Sequence, residues 1–220
     1  FFNNEPHAGP AGLSDPGSIY YDPSTERLFV VDGGNHRILT FDVSVESLET
    51  GMSAETVIGQ VDFDSNQPGV GAGRLNRPSR LSFDDVHGRL FVADGGNQRV
   101  VVFDVGADNP TLGATATHVL GQDTFGMSER RVDLRKLAPG QMILNRRQQQ
   151  LMVNEGTVAN RTLVFDVHPD RIENNPDAVA LLFQEDFEKS ERRTSQVYEN
   201  SPRPFLDEET NTLYVASGYP

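Results

Sequence analysis

Few side chains in this sequence have the type and spacing to do chemistry. Asp and Arg stand five residues apart twice, as Asp32/Arg37 and Asp94/Arg99, each time across Gly-Gly-Asn. Such a pair can offer a carboxylate to a ligand or close a hairpin with an ion pair. Recurrence in successive copies favours the structural role, in which an exposed pair would contribute only about 0–1 kcal/mol. Gly59-Gln60 recurs as Gly121-Gln122; the Gly is read as meeting a steric demand and the Gln as bonding nearby backbone. Asp62-x-Asp64-x-Asn66 has the opening of a calcium loop, but Gln67 and Gly73 stand where Gly and Glu belong, and Thr124 replaces Asp62 in the next copy. His7, His36, His87, His118 and His168 form no metal-spaced pair. There is neither a Gly-x-Ser-x-Gly elbow nor a phosphate-binding Gly loop. No metal, cofactor or catalytic residue is therefore expected. Asn160-Arg161-Thr162 fits a glycosylation sequon, a short pattern that also arises by chance. The charge run at 185–193 reads as a solvated loop.

The elements that must position these residues come from an internal repeat. The run Leu28-Phe29-Val30-Val31-Asp32-Gly33-Gly34-Asn35 returns as Leu90-Phe91-Val92-Ala93-Asp94-Gly95-Gly96-Asn97, 62 residues on. Phe41-Asp42-Val43 returns as Phe103-Asp104-Val105 and Phe165-Asp166-Val167, and Phe63 as Phe125 and Phe187. The third copy has Asn154 in the Asp position and a turn two residues longer. A half copy follows, with Leu213-Tyr214-Val215-Ala216-Ser217-Gly218.

Each copy reads as four strands. A short first strand ends in an Asx turn at Asp22, Asp84, Asn145 or Asp207, residues whose side chains bond their own backbone two residues on. The second and third strands are nearly unbroken apolar runs, as suits strands buried on both faces. Gly-Gly-Asn between them is expected to supply positive φ for a tight hairpin. The fourth strand spans about residues 117–122.

Four short strands at a fixed period imply propeller blades. The expectation is an all-β chain, an incomplete and open β-propeller of four-stranded antiparallel blades, as one domain over 1–220. The blades fall at about 13–63, 75–125, 136–187 and 198–220, the last partial, with further blades of a parent propeller as partners.

Composition narrows the function classes. The formal charge is -13, from 32 acidic against 19 basic side chains. Nucleic-acid binding needs clustered Lys and Arg, so this balance argues against nucleic acid, and Arg192-Arg193 alone makes no RNA site. No apolar run has the roughly 18 residues of a membrane span, so no membrane role is expected. With no Cys, neither disulfide nor thiolate site is possible.

The strand, Asp-Gly-Gly-Asn-x-Arg, strand pattern of Asp32–Arg37 and Asp94–Arg99 resembles the signature of NHL repeats. With Val57-Ile58-Gly59-Gln60 and Phe63 it is similar to the long-repeat NHL proteins of bacteria. That resemblance implies a propeller of about six blades and an extracellular or periplasmic location. Some NHL-type propellers are metal-dependent lyases and related six-bladed ones are lactonases, but their ligands do not map onto residues here.

In a propeller the first strand of each blade lies nearest the axis. Ser18, Arg80, Gln141 and Arg203 begin the four first strands, and Tyr20 and Ser82 follow two residues on along the same side. These are the candidate channel-mouth residues. The reading favoured at this point is a non-catalytic module that recognises a protein, a glycan or another small ligand. The alternative is part of a metal-dependent lyase or lactonase whose ligands are shared with further blades.

Overall fold

A computed structural model describes residues 8–106, 112–128, 139–155, 161–182 and 203–216. The first copy forms β1 (Pro16–Asp22), β2 (Arg27–Asp32), β3 (Arg37–Asp42) and β4 (Thr56–Ile58), hydrogen-bonded in that order. The second forms β5 (Pro78–Asp84), β6 (Arg89–Asp94), β7 (Arg99–Asp104) and β8 (His118–Leu120), and the third β9 (Met142–Asn145), β10 (Gln150–Asn154), β11 (Thr162–Asp166) and β12 (Ala180–Leu182). The half copy gives a hairpin of β13 (Arg203–Asp207) and β14 (Thr212–Ala216). All ladders within these sheets are antiparallel. The architecture is the expected all-β open propeller fragment.

The sheets stack face to face because alternate residues of each strand point to opposite neighbours. Phe29, Val31, Ile38 and Ile58 of the first sheet share one core with Leu81, Phe83, Leu90 and Val92 of the second. Phe91, Ala93, Val100 and Val102, on the second sheet's other face, share another with Met142, Leu144, Leu151 and Val153. Each fully buried Phe, Leu or Val stabilises the stack by about 1.5–3 kcal/mol. At the outer faces apolar side chains stay exposed: Ile19 and Tyr21 on β1, Phe205 and Tyr214 on β13 and β14.

The innermost strands β1, β5, β9 and β13 lie side by side from sheet to sheet. Their first residues define an upper mouth, which also carries the Gly33–Asn35 and Gly95–Asn97 turns. Their last residues and Asx turns define a lower mouth. The Asx expectation holds at two turns, where the Asp22 Oδ1 accepts the Ser24 N–H at 2.9 Å and the Asp207 Oδ1 the Glu209 N–H at 3.0 Å; at the other two the N–H comes from three residues on, His87 to the Asp84 Oδ1 at 3.3 Å and Gln148 to the Asn145 Oδ1 at 3.1 Å.

The Gly-Gly-Asn hairpin differs from expectation. It is a 3-10 turn, and the positive φ falls on the following residue, 57° at His36 and 54° at Gln98. The glycines serve close approach instead. A Cβ on Gly96 would stand 2.6 Å from the Asn76 carbonyl oxygen, and one on Gly34 would stand 2.9 Å from that of Ser14.

Candidate functional site

The recurrent Asp–Arg pairs are architecture. Arg37 Nε donates to the Asp32 Oδ2 at 2.7 Å and Arg99 Nε to the Asp94 Oδ2 at 2.8 Å, with all four side chains fully buried. They are not the exposed pairs considered from sequence, so losing one partner would strand a buried charge. Each guanidinium also ties down loops. Arg99 donates to the carbonyls of Phe125, Gly71 and Arg74; Arg37 donates to those of Phe63, Gly9 and Gly12. The second carboxylate oxygens accept Asn76 N–H at 2.7 Å and Ser14 N–H at 2.6 Å. Each pair thus fastens the segment that leads into its own inner strand.

Gln60 is likewise structural, donating to the carbonyls of His36 and Gln67 at 3.1 and 3.0 Å. Gly59 has φ 89°, and a Cβ there would meet the Leu75 side chain. Asp62 caps its own turn by accepting the Ser65 N–H at 2.7 Å, and hydrogen bonding from Ser65 holds its carboxyl below the usual range. Among the described residues no three His, Asp or Glu gather as metal ligands. His7 and the 185–193 run lie outside the described residues, as does the Arg203 side chain.

At the upper mouth the inner strands are deformed. β1 carries a register shift between Pro16 and Ile19, and β5 one between Pro78 and Arg80. Each places one extra residue against its partner strand, and such bulges re-aim side chains. Gly17 sits in the first bulge, where a Cβ would lie 2.8 Å from the Ser79 carbonyl oxygen of the next sheet.

Here three of the sequence candidates from three successive sheets meet in one network. The Ser18 Oγ accepts the Leu81 N–H at 3.0 Å, and the Gln141 Oε1 accepts from Arg80 Nε at 3.3 Å. Arg80 Nη1 also donates to the Ser79 carbonyl at 2.8 Å. A guanidinium can only donate, which fixes the Gln141 amide with its oxygen towards Arg80. The Ser18 oxygen is occupied by a backbone donor. Among the described residues the donors left over are the Ser18 O–H, the Gln141 amide N–H groups and Arg80 Nη2, beside one lone pair each on the Ser18 Oγ and the Gln141 Oε1. Such a surface matches carbonyl, carboxylate or phosphate oxygens. Its one charged side chain is the Arg80 guanidinium, which suits an anion rather than a metal cation.

Of the other three candidates, Tyr20 and Ser82 lie deeper. Tyr20 packs its ring on Phe83 at 5.5 Å between the first two sheets. Burial and then the Asp85 carboxylate push its phenol above the ordinary value. Ser82 is half-buried on β5 opposite Phe91. Arg203 starts β13, opposite Ala216.

The lower mouth has its own guanidinium, which the sequence reading missed. Arg146, in the Asx turn of the third sheet, donates to both Asp85 carboxylate oxygens at 3.1 Å and to the Glu208 Oε1 at 3.2 Å. These residues follow Asp84, Asn145 and Asp207 in the repeat, a register from which their meeting could be read. His36 is a second omission. Its Nδ1 accepts the Arg77 N–H at 2.9 Å, across the first and second sheets at the upper end. Burial and then the Arg77 charge hold this imidazole below its ordinary value.

With this geometry in place, comparison with known proteins adds the following. Residues 75–103 match the NHL repeat. No curated protein matches the chain as a whole. Among solved structures, the periplasmic gluconolactonase of Pseudomonas aeruginosa superposes with TM-score 0.52 at 15% identity, over 96% of this chain and 57% of its own. A candidate 6-phosphogluconolactonase of Bacteroides fragilis gives TM-score 0.52 at 14% identity, over 96% of this chain and 51% of its own. A Lactobacillus plantarum protein gives 0.59 at 12%, over 91% and 50%. The chain therefore spans about half the length of the structures it resembles. At these identities the likeness is one of fold.

It corrects one expectation. The lack of a recognisable catalytic motif had favoured a non-catalytic module. Solved structures of this fold include a gluconolactonase, so the fold gives no ground for that preference, and it does not stand. Among the described residues no helix is long and apolar enough to cross a membrane.

Proposed function

We propose that this chain supplies blades to a propeller enzyme that hydrolyses a small lactone at the upper channel mouth. The observation that carries this reading is the donor-rich set of Ser18, Arg80 and Gln141 at the starts of three adjacent inner strands, each held by a bond across to the next sheet. Lactone hydrolysis adds water across an acyl C–O bond. The water oxygen bonds to the carbonyl carbon, the ring C–O bond breaks, and the ring oxygen leaves as a hydroxyl. Negative charge builds on the carbonyl oxygen in between. Fixed donors aimed at that oxygen lower the barrier because they need no reorganisation as charge develops, and one such donor is commonly worth about 10²–10³ in rate. Arg80 is the principal donor in this scheme, held at Nε by Gln141 and at Nη1 by Ser79. Ser18 and Gln141 hold the remaining oxygens of a hydroxylated ligand. The alternative weighed from sequence is a metal-dependent lyase or lactonase whose ligands are shared with further blades; among the described residues no three His, Asp or Glu gather as metal ligands, and no step is routed through a metal.

The test is hydrolysis of glucono-δ-lactone and related aldonolactones by the full-length protein, followed by acid release at constant pH. Turnover that falls about 10²-fold or more in Arg80→Ala, with unchanged thermal stability, is the expected result. No turnover of any lactone, or turnover indifferent to Arg80→Ala, overturns the reading.

A further inference from the structure

The chain carries a large excess of acid, and most guanidiniums among the described residues are neutralised. Arg27, Arg37, Arg89, Arg99, Arg146, Arg161 and Arg171 each meet a carboxylate. Arg74, Arg77, Arg80 and Arg147 form no ion pair among the described residues; Arg147 donates to the Glu209 carbonyl at 3.5 Å at the lower end, whereas Arg74 and Arg77 precede β5 and Arg80 lies within it at the upper mouth. Arg74 is partly spent, since its Nη1 donates to the Gln60 Oε1 at 2.9 Å and its charge bears on Asp62. Arg77 and Arg80 are exposed and keep their charge for something else.

The surroundings show that this charge is felt. His36 is held in its neutral form by burial and by Arg77, even though Asp32 pulls the other way. In the first sheet the place of Arg77 is taken by Asp15, with the same left-handed backbone, φ 48° at both. Arg77 and Arg80 thus place two guanidiniums without an ion pair among the described residues at the mouth of the second sheet. In a chain with a formal charge of -13, leaving guanidiniums unpaired at a channel opening concentrates a positive field there, and such a field draws in anions.

We infer that the upper mouth recognises an anionic substituent of its ligand, a carboxylate or a phosphate, through Arg80 and Arg77, with the Ser18 hydroxyl and the Gln141 amide as flanking donors. This deepens the reading of the upper mouth as the ligand site but requires no reaction there. Arg80 already has its fork anchored on Gln141 and Ser79, so little side-chain freedom is lost on binding. Planar guanidiniums suit both carboxylate and phosphate.

The experiment is titration calorimetry of the full-length protein with sodium gluconate (carboxylate alone), glucose 6-phosphate (phosphate alone) and inorganic phosphate, beside a neutral methyl glucoside. One of the two sugar anions is expected to bind while the neutral sugar does not, with affinity falling as salt rises. The anion that binds identifies the chemistry. Arg80→Ala and Arg77→Ala should each weaken it about tenfold or more, as for a charged hydrogen bond, while Arg80→Lys retains part and Arg146→Ala at the lower mouth changes nothing. Failure of every anion to bind, or equal binding in wild type and both Ala variants, overturns the inference. Anion binding without turnover of any lactone upholds this site and removes the hydrolase reading. Turnover of a neutral lactone in a protein that binds no anion does the reverse.

Discussion

Glu155 receives the Arg161 guanidinium at 2.6 Å with both side chains out of solvent. It does so one residue beyond the place held by Asp32 and Asp94. In the first two sheets the carboxylate and the Arg face each other as strand partners. In the third, Asn154 and Thr162 are the partners, joined by the Asn154 amide to the Thr162 Oγ1 at 3.2 Å, and the ion pair has moved outward by one. The interaction outlasts the motif that announces it.

Removal of one partner is expected to cost more than removal of both. Arg99→Met leaves Asp94 buried without its counter-charge and strips three loop carbonyls of a donor; a loss of about 3–5 kcal/mol is expected. Asp94→Leu combined with Arg99→Met should recover part of it. Urea denaturation of the three variants, fitted with a common slope, checks this; a double variant as unstable as the single one would contradict it.

The turn glycines give a test of close approach against conformational freedom. Gly96→Ala drives a methyl group against the Asn76 backbone, and about 1–3 kcal/mol should be lost through forced displacement. Gly126 has no positive φ and meets only the Thr124 Oγ1, at 3.8 Å. Gly126→Ala should be neutral or slightly stabilising, because it restricts the unfolded chain. Thermal melts of both variants separate the two cases.

Much of the fold is legible in sequence because a repeat states its pattern several times. The Val- and Phe-rich runs give β6 and β7, and the Asx residues mark the turns. The strand-starting positions Ser18, Arg80 and Gln141 fall together because the offset between copies carries each inner strand to the same height. What escapes the pattern depends on neighbours rather than on period. Arg146 meets Asp85 and Glu208 only once three sheets are stacked. The glycine requirement comes from Ser14 and Asn76, far upstream. Glu155 reads as an insertion until its carboxylate is seen on Arg161. Tyr20 shares its side of β1 with Ser18, yet its ring packs on Phe83 between the first two sheets.

His36 predicts a pH dependence whose sign follows from its hydrogen bond. The Arg77 N–H can only donate, so the His36 Nδ1 must be unprotonated to accept it. Burial and the Arg77 charge lower the folded pKa beneath the ordinary 6.5, against a smaller opposing pull from Asp32. The neutral ring is therefore favoured by folding. This contribution is complete above the ordinary value and is lost as pH falls through it towards the folded pKa. Melting temperature measured from pH 8 to pH 5 should fall less in His36→Gln than in wild type. Identical pH profiles would show that the contact carries no linkage.

The two guanidiniums at opposite ends of the inner strands should separate function from stability. Arg146 is about one-third exposed, as are its partners, with side-chain values of 37% for Arg146, 29% for Asp85 and 36% for Glu208. Solvent screens such a bridge, so Arg146→Ala should cost only about 0.2–1 kcal/mol, and less at high salt. It joins three sheets, yet all its charge is met by carboxylates, leaving nothing to offer a ligand. Arg80 has no carboxylate partner among the described residues and should show the converse: little stability lost on truncation, but ligand binding and turnover lost together. Denaturation and turnover measured on both variants decide the matter. Equal loss of turnover from Arg146→Ala would place the ligand at the lower mouth, beside the raised Tyr20 phenol, and would remove Arg80 from its assigned role.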